Sequence, residues 1–256
     1  MVDVARAVER MESFLAEQLA DAGAEGYVVG VSGGLDSAVA TTLAARAVGP
    51  DSVTGLVMPG RPNSEANMAD ARALCRDLGV AFEEISIQPI VDATEAQLPF
   101  EPATPTLGNV RARTRMVLEY AVANEHDQLV LGAGNRSERL LGYVTKYGDD
   151  AVDVQPMKDL YKSDIPQVAR HVGVDERFIE KTPTAALWEG QTDESELGAK
   201  YETIDTVLRR VVDADQSPAQ VARATGIDRE IVDRLVDRWR SSAHKRTQPP
   251  GPSLRE

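Results

Sequence analysis

Gly26-Tyr27-Val28-Val29-Gly30-Val31-Ser32-Gly33-Gly34-Leu35-Asp36-Ser37 is the stretch on which the fold turns. Its first six residues are too few for a helix of their own and run straight into glycines, so they read as a buried strand. The alanine-rich segment from Ser37 to Val48 then reads as helix. The first N–H groups of such a helix carry partial positive charge, and glycines at 33 and 34 let the backbone approach a ligand closely. An anion fits there. Ser32 and Ser37 add hydroxyl donors, whereas Asp36 would repel a phosphate unless a divalent cation lay between them. The turn has neither the lysine of GxxxxGK[ST] nor the spacing of GxGxxG. A bare strand-to-helix turn needs no ligand; the pyrophosphate-cradle reading rests on all of SGGxDS, Ser32 to Ser37 with Leu35 at its variable position, standing in that context, and Gly30 and Val31 before it are counted among the expected nucleotide contacts.

Outward from this turn, residues 3 to 21 place Val4, Val8, Met11, Leu15 and Leu19 on one face of a helix ending near Gly23. Residues 52 to 58 read as strand, 64 to 79 as helix, 81 to 87 as strand, about 108 to 124 as helix, and 127 to 134 as a strand entering a second turn. Alternation of this kind predicts an α/β fold, a doubly wound and mainly parallel sheet with helices on both faces and ligands at the carboxyl ends of its strands. From Gly142 to Asp193 one clear helix, Ser163 to Gly173, stands in irregular sequence. From Ser195 the chain reads as helical, with Ser217-Pro218 as cap and first-turn proline and Asp228 opening a helix to about His244. A single domain over 1–256 is expected: a nucleotide-binding core over 1–194, C-terminal helices over 195–248 and a tail over 249–256.

Of 256 residues, 42% are apolar, ample for a substantial core. The balance of 41 acidic against 28 basic residues, net -13, disfavours nonspecific attraction to nucleic acid or anionic membrane. Lysine occurs only at 146, 158, 162, 181, 200 and 245 and arginine supplies the remaining basic residues, which fits both a salt-adapted protein and an ordinary acidic one. A single cysteine, Cys75, excludes an internal disulfide and a CxxC motif; beside Leu74 and Leu78 it reads as core. No apolar run approaches the roughly 20 residues of a membrane span, and the N-terminus is amphipathic, so a cytoplasmic protein is expected.

The Ser32–Ser37 loop resembles that of the ATP pyrophosphatases, which activate a substrate oxygen by adenylylation. Four further stretches, 109–116 (NVRARTRM), 138–150 (ERLLGYVTKYGDD), 181–198 (KTPTAALWEGQTDESELG) and 244–246 (HKR), resemble the NAD synthetases in order and spacing. That resemblance implies an adenine nucleotide alpha hydrolase-like fold. It also implies adenylylation of deamido-NAD by ATP and displacement of AMP by ammonia, in a homodimer with the deamido-NAD site near the subunit interface. By the same resemblance Asp36 and Glu138 are magnesium ligands, Lys162 holds ATP phosphates, Thr184 contributes a hydroxyl and Ala133 lines the nucleotide site. Arg113, Lys146, Asp153, His244 and Lys245 match deamido-NAD contacts, and Asp149 matches a carboxylate that receives ammonium. Ammonium must lose a proton before it attacks, so a carboxylate there can bind and act as base.

Each residue also has a plainer reading. Arg111, Arg113 and Arg115 fit a solvated helix face, and Glu138 fits an ordinary pair with Arg136 or Arg139. Two positions depart from the family pattern: Ala133 stands where a threonine is common, and Asp150-Ala151 replaces a glycine pair. Another amide-forming ATP pyrophosphatase is the nearest alternative activity, although thiolating and glutamine-hydrolysing relatives need cysteines that one helical Cys75 does not supply. Residues 217–238 also have the pattern of a helix-turn-helix, as in a nucleotide-sensing DNA-binding regulator. Its second helix alternates Asp228, Glu230, Asp233 and Asp237 with Arg229, Arg234 and Arg238, leaving little attraction for phosphate. A third reading, a nucleotide-binding module without catalysis, leaves the second acidic position at Glu138 unexplained.

Overall fold

The computed structural model describes residues 2–254. Four parallel strands, β1 (Gly26–Gly30), β2 (Val53–Val57), β3 (Ala81–Glu84) and β4 (Gln128–Leu131), form one sheet in the order β3-β2-β1-β4. The order reverses beside β1, the position at which open parallel sheets bind ligands. Side chains alternate across the sheet: Tyr27, Val29, Val53, Val57 and Leu131 join one core, whereas Val28, Leu56 and Val130 join another.

Helices α1 (Val4–Ala22), α2 (Leu35–Val48) and α3 (Glu65–Leu78) cover the first face, while α4 (Gln88–Gln97) and α5 (Thr104–Glu125) cover the second. Asp3 and Ser64 cap α1 and α3 through their side chains, and left-handed glycines 23 and 79 end those helices. Cys75 is fully buried, its sulfur against Gly55, where an added Cβ would lie 2.9 Å away. The doubly wound α/β expectation holds. Its strand 81–87 is shorter, ending at Glu84, since Gln88-Pro89 starts α4, an element the periodicity missed. The helix expected from Gly108 begins at Thr104, because Pro105 is tolerated in a first turn.

Beyond β4 come α6 (Arg136–Leu141), α7 (Ile165–Val172), α8 (Glu176–Ile179), α9 (Asp193–Leu197), α10 (Tyr201–Leu208), α11 (Pro218–Thr225) and α12 (Arg229–Ser241). The continuous helix read from Ser195 is corrected: Gly198, at φ 71°, ends α9, and Arg234 donates to its carbonyl at 2.8 Å. A third core joins Leu141 of α6 and Tyr161 to Ile204, Leu208, Val232 and Leu235. The α11–α12 turn has helix-turn-helix form with Gly226 left-handed, yet Val232, Leu235 and Val236 are buried and Arg238 donates to the Leu141 and Glu196 carbonyls. One face of that helix packs against the fold, while Arg229, Glu230, Arg234 and Asp237 are exposed. Among the described residues no helix is long and apolar enough to cross a membrane.

Candidate active site

The β1–α2 turn takes the geometry that an anion cradle needs. Gly33 has φ 76°, and a Cβ there would lie 2.0 Å from the Asn67 carbonyl oxygen, so only glycine fits. The Ser37 hydroxyl donates to the Gly34 carbonyl at 3.0 Å and accepts the Ser32 N–H at 3.2 Å, closing the loop over the start of α2. Gly34 is the N-cap of α2 without a side-chain cap, which leaves first-turn N–H groups for a ligand. Lys181, which lines the same cavity as the loop, ties it to α3, donating to the Gly33 carbonyl at 2.7 Å, Asn67 Oδ1 at 3.0 Å and Asp70 Oδ2 at 2.5 Å.

The loop opens into a cavity of about 1000 Å³. That is the upper end of the roughly 300–1,000 Å³ of ordinary ligand sites, so it has room for a nucleotide and a second substrate. At its centre Lys162 Nζ donates to Asp36 Oδ2 at 2.7 Å and Glu138 Oε1 at 3.1 Å. The plainer reading of Glu138, a pair with Arg136 or Arg139, is therefore not what the fold builds. Arg136 pairs with Asp159 and Asp213, and Arg139 faces Asp150 at 3.6 Å. Burial opposes the charge on Lys162, but Asp36 and Glu138 outweigh it and push its pKa up. Burial also holds the Glu138 carboxyl up at about 7, with Lys162 lowering it and Asp36 and Asp193 raising it.

Buried Asn135 orders this cluster. It caps α6 by accepting the Glu138 N–H at 3.0 Å and donates its amide to Asp36 Oδ2 at 2.8 Å. Asp36 Oδ1 is left buried with no hydrogen-bond partner, as is one oxygen of Asp193. A buried anionic oxygen without a donor is costly, and three carboxylates share one ammonium here. These residues fit a divalent cation. Among the described residues no group of three or more His, Cys, Asp or Glu is placed to hold a metal unaided. Magnesium commonly takes one or two carboxylates and completes its shell with phosphates and water.

Lys162 is set by the C-terminal helices. Its backbone N–H donates to Ser137 Oγ at 2.9 Å; that hydroxyl donates to Asp205 Oδ1 of α10 at 2.5 Å, and Asp205 Oδ2 accepts the Ser163 N–H at 2.8 Å. Tyr201, also on α10, lies under the ammonium with its ring centre at 5.4 Å and donates to Asp193 Oδ2 at 2.8 Å. Sequence reasoning assigned no role to Lys181, Asp193 or Asp205. The first two stand inside the quoted 181–198 stretch, but a helical pattern cannot say which residue meets which.

The remaining candidates divide. Ala133, Asp149, Thr184 and Lys245 line the cavity with the loop. Thr184 closes its own segment, its hydroxyl donating to the Gln191 carbonyl at 2.7 Å, and Lys245 Nζ donates to the Gly142 and Val144 carbonyls. Asp149 is accessible, but to the cavity; Oδ1 accepts the Thr145 N–H at 2.9 Å, and surrounding protein raises its pKa. Arg113, Lys146, Asp153 and His244 do not line this cavity. Arg113 donates to the Lys146 carbonyl at 3.0 Å, and Asp153 accepts the Val130 N–H at 2.8 Å and the Tyr120 hydroxyl at 3.1 Å. Exposed His244 borders a shallow depression beside Ser241 and Arg238. Of the departures, Asp150 is accommodated by Gln155, which donates to it at 2.6 Å, and by Arg139.

Comparison with known proteins agrees with this geometry. The NAD synthase family model matches residues 7–249. An NH(3)-dependent NAD(+) synthetase of Thermococcus kodakarensis is 47% identical over 253 residues, with 99% of each chain covered. The NMN synthetase of Francisella tularensis superimposes with a TM-score of 0.88 at 32% identity over 99% of this chain and 100% of that one. The NH3-dependent NAD synthetase of Campylobacter jejuni, a complex with nitrate, does so with a TM-score of 0.84 at 33% identity over 99% and 100%. By the family model's match over residues 7–249 and its near-complete alignment to these proteins, the chain belongs to the NAD synthase family.

Proposed function

We propose that this protein is an ammonia-dependent NAD synthetase, a ligase that activates the pyridine carboxylate of deamido-NAD with ATP and lets ammonia displace AMP to give NAD and pyrophosphate. The observation that carries the reading is the meeting of the Ser32–Ser37 loop with Lys162, Asp36 and Glu138 in one cavity. Attack of a carboxylate on the α-phosphorus brings anions together, and positioned cations must offset the charge. Loop N–H groups and the Ser32 and Ser37 hydroxyls hold the phosphates, and Lys162 places a fixed positive charge beside them. Asp36 and Glu138 would hold Mg2+, which neutralises phosphate charge when bound. Asp149 faces the same space as an acceptor for ammonium.

Arg113, Lys146, Asp153 and His244 belong to the dinucleotide site in this reading, completed by a second copy of the chain. Exposed apolar side chains close in sequence and on neighbouring elements, Ile90 of α4, Phe100 of the segment after it and Val117 of α5, support a homodimer. A cytoplasmic location accords with the soluble substrates. The experiment is to combine the protein, ATP, Mg2+, deamido-NAD and ammonium chloride at low and high salt and to quantify NAD and pyrophosphate. Absence of both products in every condition would remove the assignment. The likeness to an NMN synthetase favours a second reading, amidation of the corresponding mononucleotide acid; a higher kcat/KM for that acid would select it.

A further inference from the structure

Glu119 lines the cavity but has no part in the chemistry above. It rises from α5 so that its Oε1 lies against Gly30 at the end of β1, where an added Cβ would be 2.3 Å away. Among the described residues it has no hydrogen bond and no ion pair. Arg115, one turn back on the same helix, turns away to Asn63 Oδ1 at 2.7 Å and the Met58 carbonyl at 3.3 Å. Asp149 acts on Glu119 through space and opens onto the same cavity. Burial holds the Glu119 carboxyl up at about 7, with Arg115 lowering it and Asp149 raising it.

Glu119 is partly buried and faces the cavity without a protein donor, and such a carboxylate is stabilised by a cation or a proton, both of which ammonium supplies. A sugar hydroxyl would bring one neutral donor to one of the two acids, and a phosphate would be repelled by both. We propose that Glu119 is an ammonium-binding group that, with Asp149, lodges the nitrogen donor and takes the proton whose loss makes it nucleophilic. The inference rests on free ammonia being the donor in the proposed reaction. The Glu119 carboxylate takes one proton from NH4+. The lone pair of NH3 then forms the C–N bond at the acyl carbon, the C–O bond to AMP breaks with AMP keeping the electron pair, and Asp149 takes the proton shed by the new amide nitrogen.

The test is Glu119→Gln, with steady-state kinetics in each substrate. Loss of a charged hydrogen-bond partner predicts a KM for ammonium raised about tenfold or more. The KM values for ATP and deamido-NAD, and the first-turnover release of pyrophosphate without ammonium, stay near wild type. An unchanged ammonium KM, a raised ATP KM in its place, or a parallel fall in pyrophosphate release overturns the proposal. Thermal melts in ammonium chloride and sodium chloride at equal ionic strength supply a readout without turnover. Wild type melts higher in ammonium and E119Q melts equally in both; an equal ammonium effect on the two proteins also overturns it. If wild type makes no NAD, the parent reaction has failed, while the melts still report on ammonium binding.

Discussion

Replacing Gly33 and Gly34 separately by alanine should divide the folding role of the Ser32–Ser37 loop from its proposed role in binding phosphate. At 33 the new side chain meets two penalties. A left-handed φ of 76° costs an L residue about 1–2 kcal/mol, and a Cβ 2.0 Å from the Asn67 oxygen forces the loop and α3 apart, an overpacking cost of about 1–3 kcal/mol. A total near 3 kcal/mol, at roughly 2–4 °C per kcal/mol for a domain of this size, lowers the melting temperature by about 10 °C. At 34 the backbone is ordinary, with φ -91° and ψ 168°, and the nearest atom to a new Cβ is Ser32 Oγ at 3.4 Å. Loss of N-cap preference costs about 1 kcal/mol at most. If the loop N–H groups hold phosphate as proposed, that Cβ would crowd the ligand, so G34A should raise the KM for ATP about tenfold while keeping its melting temperature within roughly 4 °C of wild type. Differential scanning calorimetry and ATP-dependent pyrophosphate release check both. A stable G33A, or a G34A with unaltered ATP kinetics, would refute the assignment of steric need to the first glycine and ligand contact to the second.

Three further outcomes follow from the cluster and the core. Asp205→Ala leaves Ser137 and the Ser163 N–H without their acceptor, at about 1–3 kcal/mol for each buried group, and should lower both the urea midpoint and kcat through the displaced Lys162. Lys162→Met removes the cation between Asp36 and Glu138; pyrophosphate release should fall about 10²–10³-fold, and Mg2+ should raise the melting temperature of K162M more than that of wild type. Burial pushes the Cys75 thiol up to about 11 from 9.0. The unfolded thiol therefore ionises first, and its contribution to stability, complete below pH 9, is lost as pH rises towards 11. Ellman's reagent at pH 8 should label Cys75 only after denaturant is added, and rapid labelling of the native protein would contradict its burial.

Residues 26 to 37 and the strand-helix alternation were enough to read a parallel α/β sheet with a glycine turn after β1, because glycine conformational need and side-chain periodicity are local properties. The family resemblance added Lys162, Glu138 and Asp149, which do face one cavity with that loop. Elements lacking a clear period escaped, among them α4 and short α6, and one continuous helix was read where Gly198 breaks the chain. Partner choice escaped more completely. Lys181 clamps Gly33 across 148 positions, Asp205 reaches Ser137 across 68, and Arg115 turns from Glu119 to Asn63. Such pairings depend on how separate helices dock, which composition and spacing do not encode locally. Sequence alone therefore determined the strand-glycine turn-helix form of the Ser32–Ser37 loop and which residue types could serve a phosphate there. Only the tertiary structure decided which charges are paired, which buried oxygens lack a donor, and that Arg113, Lys146, Asp153 and His244 stand outside the cavity of a single chain. Burial strips water from these groups, so their energies are set by neighbours far away in sequence.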